Sequence, residues 1–135
     1  SDRAACIWAG DSRCYLWRSG RLYQLSRDHS LLQQLIDEQQ LSPELAAKHP
    51  AAHALTRAIG ASEKLELDIL EFAVFPGDTL LLCSDGLTEE VTEQTIAAIL
   101  ADNECSAQEC VDILVATALD AGGSDNITAV LVRGL

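Results

Sequence analysis

An α+β fold, with strands and helices segregated along the chain, is what this sequence predicts, and three observations carry the prediction. The first 26 residues are cut by turns into short segments of strand composition. Two later regions repeat their apolar residues at helical intervals, the first opening at Leu31 and the second closing at Leu119. The runs "TLLLC" (79–83) and "ITAVLV" (127–132) read as strands, and a Ser-Asp pair stands beside each.

Taken in order, "AACIWA" (4–9) and "RCYLWR" (13–18) favour strand and are separated by a turn at Gly10, Asp11 and Ser12. A second turn at Ser19 and Gly20 leads into "RLYQLS", so the opening is expected to be a three-strand meander. The first strand starts with almost no leader, as if a preceding partner strand belonged upstream of it.

In "SLLQQLIDEQQ", Leu31, Leu32, Leu35 and Ile36 share a helical face. Ser42 and Pro43 then supply an N-cap and a first-turn proline for a short helix ending near His49 and Pro50. "LELDILEFAVF" alternates on odd positions through Leu65, Leu67 and Ile69 and then on even ones through Leu70, Phe72 and Val74. That change of phase predicts a bulge or bend within one strand.

Pro76, Gly77 and Asp78 form a turn, and the continuous apolarity of "TLLLC" predicts a strand buried on both faces. Ile96, Ile99 and Leu100 mark one amphipathic helix. Ser106 to Glu109 is a capping box for the next, whose apolar face is read as Val111, Leu114, Val115, Ala118 and Leu119. Gly122 and Gly123 stop that helix before the last strand.

With 135 residues, 48% of them apolar, the chain is one domain with enough apolar surface for a core. Nine Lys and Arg against 21 Asp and Glu give a net charge of −12, which repels phosphate backbones and anionic lipid. Nucleic acid and membrane are therefore not expected as partners. No apolar run approaches the roughly 20 residues of a bilayer span, and a cytoplasmic location is expected. The five cysteines lack the spacing of a zinc site or a disulfide framework, so they are read as free thiols, with Cys105 and Cys110 as small apolar packers.

The chemistry lies in "LLLCSDGLTEEV" and "GGSDNITAVLV". Asp85 leaves one strand, Asp125 enters another and Asp11 sits on a turn, so adjacent strands can bring all three to one end of a sheet. Singly, each is an ordinary turn or capping residue. Together, three carboxylates repel one another unless a cation lies among them. Hard oxygen donors without nearby His or Cys favour Mg²⁺ or Mn²⁺ over Zn²⁺, and no EF-hand spacing for Ca²⁺ occurs. Such sites usually serve phosphate chemistry.

The stretches "WAGDSRCYLW", "SRDHSLLQQLIDEQQLSPELAAKHP", "ALTRAIG", "FPGDTLLLCSDGLTEEV" and "GGSDNITAVLV" follow the order and approximate spacing of the bacterial metal-dependent protein phosphatases of type 2C. Essentially the whole chain resembles the C-terminal part, a little over half, of that family's catalytic domain. The resemblance implies a mostly antiparallel β-sandwich flanked by helices, incomplete at its N-terminus. It implies Mn²⁺ or Mg²⁺ as cofactor, with two catalytic ions in the complete domain and a third, weaker one.

By motif match, Asp85 and Asp125 are metal-ligand positions and Asp11 helps hold the third ion. Gly86, Ser124 and Asn126 would sit beside the site. The segment 41–60 resembles a flap, in which His53 either touches substrate or is a solvated surface residue. The substrates implied are phosphoserine and phosphothreonine proteins, with a cognate serine/threonine kinase as partner. Cys83 is then core packing rather than a nucleophile, since no Cys-x5-Arg loop surrounds it. Arg13 is read as holding its loop through a nearby carboxylate, Asp28 and His29 as capping residues, and Thr88 and Glu89 as fixing the turn after Asp85.

The family's Asp-Gly-x-Gly-Gly motif, whose Asp bridges two ions, and its phosphate-gripping Arg do not occur in this sequence. The only Asp-Gly is Asp85-Gly86. Three readings follow: a segment of a serine/threonine phosphatase, a phosphatase-like regulatory or interaction module, or a related domain acting on another phosphorylated substrate. In each, the first strand is expected to expose an edge open to self-association.

Overall fold

The computed structural model of the protein describes residues 2–59, 63 and 66–134. Strands β2 (Arg13–Arg18) and β3 (Arg21–Gln24) form the expected hairpin. Ser19 and Gly20, at φ 51° and 78°, supply the left-handed turn that matches the twist of its two strands. Strand β2 pairs on its other side with β5 (Thr79–Cys83), and β5 pairs with β6 (Ala129–Arg133). The sheet is antiparallel, in the order β3-β2-β5-β6.

Strand β1 (Asp2–Trp8) is not part of that meander. It pairs antiparallel with β4 (Asp68–Val74) in a separate two-stranded sheet. Gly10, at φ 123°, lets the chain pass from one sheet to the other instead of folding back in plane. The small sheet lies over β2, where the Cys6 and Cys14 thiols meet and Arg18 donates to the Ala73 carbonyl at 2.9 Å. The architecture is that of antiparallel sheets flanked by helices, as the α+β prediction requires.

The expected bulge is absent from β4. Its register with β1 runs unbroken from Trp8↔Asp68 to Asp2↔Val74. The odd-phase Leu67 precedes the strand and Leu65 lies outside the described residues, so the change of phase marks the strand's start.

Helices cover one face of the larger sheet. Tyr15, Leu81 and Cys83 pack there against Leu87 and Val91, against Ile96 and Leu100 of α4 (Glu93–Leu100), and against Leu114 and Ala118 of α5 (Ala107–Asp120). Burying side chains of this size contributes roughly 1.5–3 kcal/mol each. The opposite face is open: Leu82 is 44% exposed and Val130 and Val132 each 49%. Strand β5 is thus buried on one face only, because the two-stranded layer over β2 does not extend across β5 and β6. Leu119 also departs from expectation and is exposed, since the buried face of α5 runs through Cys110, Leu114 and Ala118.

Helix α5 carries the predicted capping box between Ser106 and Glu109 and ends where the Gly123 N–H donates to the Ala118 carbonyl at 3.1 Å. Helix α1 (Leu31–Glu38) is capped by Ser30, and α2 (Pro43–Ala47) by Ser42 with its first-turn proline. The segment after α2 returns to α1, where the Ala54 and Ala52 carbonyls accept the N–H groups of Leu31 and Leu32 at 2.9 and 2.7 Å. These two donors of the first turn would otherwise lack partners. Gly60, the expected end of the flap, lies outside the described residues.

Candidate metal centre

Strand β5 ends at Cys83, and Ser84, in extended conformation, takes the N-cap position of the short helix α3 (Asp85–Thr88) without a side-chain capping bond. Ser84 joins this corner to the loop entering β6. Its N–H donates to the Thr128 carbonyl at 3.0 Å, its Oγ accepts the Thr128 N–H at 2.9 Å and donates to the Asn126 carbonyl at 3.2 Å. Gly86 completes the contact, since a Cβ there would lie 2.0 Å from the Asn126 carbonyl oxygen. Only glycine allows α3 to start so close to that loop.

The result brings Asp85 and Asp125 together and adds Glu89. One oxygen from each of these three carboxylates lies within 4.8 Å of the others. Glu89 follows Asp85 by four residues across a helical turn, which places both on one face. That spacing was the available signal for Glu89, which the sequence reading assigned only to turn geometry. The turn role exists as well: the Thr88 Oγ1 and Glu89 N–H both donate to the Asp85 carbonyl.

Asp11 meets the cluster through Asp85. Burial, together with the charge of Asp85 and a hydrogen bond to it, pushes the Asp11 carboxyl up to about 6. Two carboxyl groups in such contact hold a proton or a cation between them. Glu89 is also raised, by burial and then by Asp85 and Asp125, while His53 acts in the opposite direction. His53 is exposed, within electrostatic reach of Glu89.

The flanking residues hold the loops. Asp125 Oδ1 accepts the Asn126 N–H at 2.7 Å, and Ser124 Oγ donates to Glu90 at 3.0 Å. Asn126 meets the site through its backbone carbonyl. Arg13 forms a two-pronged ion pair with Asp28, its Nε and Nη2 at 2.9 and 2.7 Å, and its Nη1 donates to the Tyr15 hydroxyl. The structural reading of Arg13 agrees with this arrangement. Asp28 and His29 are not helix caps, because Ser30 fills that role and they instead bond Arg13 and Gly10. Burial pushes the Cys83 thiol up to about 11, so it stays protonated within the core. All five cysteines are free.

The donors suit a hard divalent cation, because they are carboxylate oxygens that are partly exposed and mutually repelling. A soft metal would need thiolates or imidazoles, and the group of Asp85, Glu89 and Asp125 contains neither.

Antiparallel sheets with flanking helices thus carry acidic loops that converge at one sheet end. Residues 4–134 match the family Stage II sporulation protein E (SpoIIE), and the chain belongs to that family. It is 43% identical over 124 residues to the serine/threonine phosphatase stp of Listeria welshimeri, an alignment covering 92% of this chain and 49% of that protein. The solved serine/threonine phosphatase of S. agalactiae superposes with a TM-score of 0.93 at 35% identity, over 100% of this chain and 55% of that one. The catalytic domain of the phosphatase PstP, solved in complex with two manganese ions, superposes with a TM-score of 0.75 at 38% identity, covering 97% and 53%. The chain thus spans about half the length of stp.

Proposed function

We propose that the chain is the C-terminal portion of a metal-dependent protein serine/threonine phosphatase, with 41–60 as its flap. The observation that carries this reading is the convergence of Asp85, Glu89 and Asp125 within 4.8 Å, with Asp11 in contact with Asp85. Asp85 and Asp125, with Glu89, would hold Mn²⁺ or Mg²⁺, and Asp11 with Asp85 would hold a further ion. When bound, such ions neutralise phosphoryl oxygens and lower the pKa of water, which permits in-line hydrolysis of a phosphomonoester.

The chain's own residues keep the acidic loops in place. Ser84 and Gly86 fix the α3 corner against residues 126–128, and Glu90 holds Ser124. Gly86, Ser124 and Asn126 would thereby support the ligands, and His53, exposed and within electrostatic reach of Glu89, is the proposed substrate-side residue. Phosphoserine and phosphothreonine proteins are the proposed substrates, with a cognate kinase and a cytoplasmic setting. Among the described residues no helix is long and apolar enough to cross a membrane.

A second reading, a non-catalytic phosphatase-like module, draws on one observation. The face around Leu82, Val130 and Val132 is open. On the first reading that face packs against further sequence of the same domain. On the second it receives another chain, as does the edge of β1 opposite β4, which is unpaired among the described residues.

The test is Mn²⁺-dependent hydrolysis of p-nitrophenyl phosphate by the chain alone and with its native flanking sequence, each with and without Asp85→Asn. Chelator-sensitive turnover lost in Asp85→Asn supports the phosphatase. Silence in every form transfers the assignment to the module.

A further inference from the structure

The turn Gly10-Asp11-Ser12 carries Asp11 to the acidic cluster, where a hydrogen bond from its own backbone favours the ionised carboxyl while Asp85 and Asp28 act against it. Contacts from outside the turn add a further hold.

Two consecutive residues between β3 and α1 provide one. Asp28 takes Arg13, just after the turn, through the ion pair at 2.7 Å. His29 takes Gly10, just before Asp11, through both backbone groups. The Gly10 N–H donates to His29 Nδ1 at 3.0 Å, and the His29 N–H donates to the Gly10 carbonyl at 2.8 Å. Since Nδ1 accepts, the ring proton is on Nε2, which donates to Asp68 Oδ2 at 2.7 Å.

His29 is 6% exposed, and its ring stacks on Trp8 with centroids 6.0 Å apart. Arg57 Nη1 donates to the other oxygen of Asp68 at 3.1 Å and so fixes the group that orients the ring. The His29 carbonyl accepts the Thr56 N–H at 2.9 Å, so the base of the segment after α2 is anchored on the same residue.

A buried, fully bonded histidine is most simply a piece of core. Here, however, two of the bonds, one from the ring and one from the backbone, run to the residue preceding Asp11. We propose that His29 is a positioning residue for Asp11: by holding both backbone groups of Gly10, it sets where the Asp11 carboxylate stands against Asp85. The inference rests on the metal-centre reading of Asp11 and Asp85 and assigns a residue that acts through the Gly10 backbone.

The experiment is calorimetric titration with Mn²⁺, with thermal melting in chelator alongside, on the chain with its native flanking sequence as wild type, His29→Ala, Asp11→Asn and the double variant. Supporting residues around metal ligands typically change affinity by about 10-fold or more when removed. Positioning through Asp11 predicts a loss of that size in His29→Ala, and a double variant no weaker than Asp11→Asn alone. A purely structural histidine predicts a lower Tm, with Mn²⁺ losses that add.

His29→Asn places an acceptor near Nδ1 and is expected to recover most of the affinity, whereas His29→Gln, whose amide lies near Nε2, is not. Should His29→Ala fail to fold, that pair carries the test, and equal affinities in the two overturn the proposal. Wild-type binding that His29→Ala leaves unchanged overturns the positioning role alone. A wild-type protein that binds no Mn²⁺ even with its native flanking sequence overturns the metal-centre reading and this inference with it.

Discussion

Gly86 and Asn126 are in backbone contact: a Cβ on Gly86 would lie 2.0 Å from the Asn126 carbonyl oxygen and 2.8 Å from its carbon. Neither atom belongs to a flexible side chain, so the contact cannot be relieved by a rotamer change. Gly86→Ala therefore has to separate the α3 corner from the loop leading into β6. Overpacking of this kind typically costs about 1–3 kcal/mol. The expected outcome is a lower Tm together with weaker Mn²⁺ binding, because Asp85 and Asp125 sit on the two halves being separated. An unchanged Mn²⁺ affinity would show that the contact does not hold the carboxylates together.

Asp85 is the carboxylate shared by Asp11 on one side and by Glu89 and Asp125 on the other. Its removal should act in opposite directions with and without metal. In chelator, Asp85→Asn relieves repulsion on Asp11 and Glu89 and is expected to raise Tm. With Mn²⁺, it removes a donor and is expected to weaken binding more than Asp125→Asn does. Glu89→Gln should weaken binding as well, which separates a donor from a turn residue. Calorimetry and melting curves on the three variants check each sign, and a fall in Tm for Asp85→Asn in chelator would contradict the repulsion.

What the sequence disclosed and what it hid divides by range. The β2–β3 hairpin was legible because Ser19 and Gly20 make its turn locally, and the capping box of Ser106 and Glu109 was legible for the same reason. The pairing of β1 was not, since its partner β4 is about 60 residues away and strand composition does not say which sheet a strand joins. The exposure of Leu82 was hidden too, because an apolar run reports that burial is available and not which layer supplies it.

At the site, Asp11, Asp85 and Asp125 could be read from their turns and glycines. Glu89 required knowing that "DGLT" is a helical turn. The role of His29 required its contacts with Gly10 and Asp68.

The Asp11 carboxyl gives the chain a pH dependence with a definite sign. Its pKa is raised from the ordinary 3.8 to about 6, with burial the first cause and Asp85 the next. The folded state therefore holds this proton more tightly than the unfolded chain. The resulting stability is fully present below about 3.8 and is lost as pH rises through about 6. In chelator, melting curves from pH 4 to pH 8 should show wild type losing stability across that window relative to Asp11→Asn. Mn²⁺ affinity should move the other way and rise as the proton leaves, because metal and proton compete for the same oxygens. A wild-type curve parallel to that of Asp11→Asn would mean that Asp11 does not titrate there.

Cys83 adjoins the site in sequence but faces the helices, among Tyr15, Leu81 and Leu87. It is 4% exposed, and a thiol pushed up to about 11 is protonated at neutral pH. Replacing it with Ser puts a hydroxyl in place of a small apolar group, which costs about 1–3 kcal/mol where the hydroxyl finds no partner. Cys83→Ser is thus expected to lower Tm while leaving Mn²⁺ affinity within about two-fold, since tenfold corresponds to 1.4 kcal/mol and the ligands are held by Ser84 and Gly86 rather than by this side chain. The comparison is melting in chelator against calorimetric titration of the same preparation. Loss of turnover in the flanked protein at unchanged Tm would instead give the sulfur a part in the chemistry.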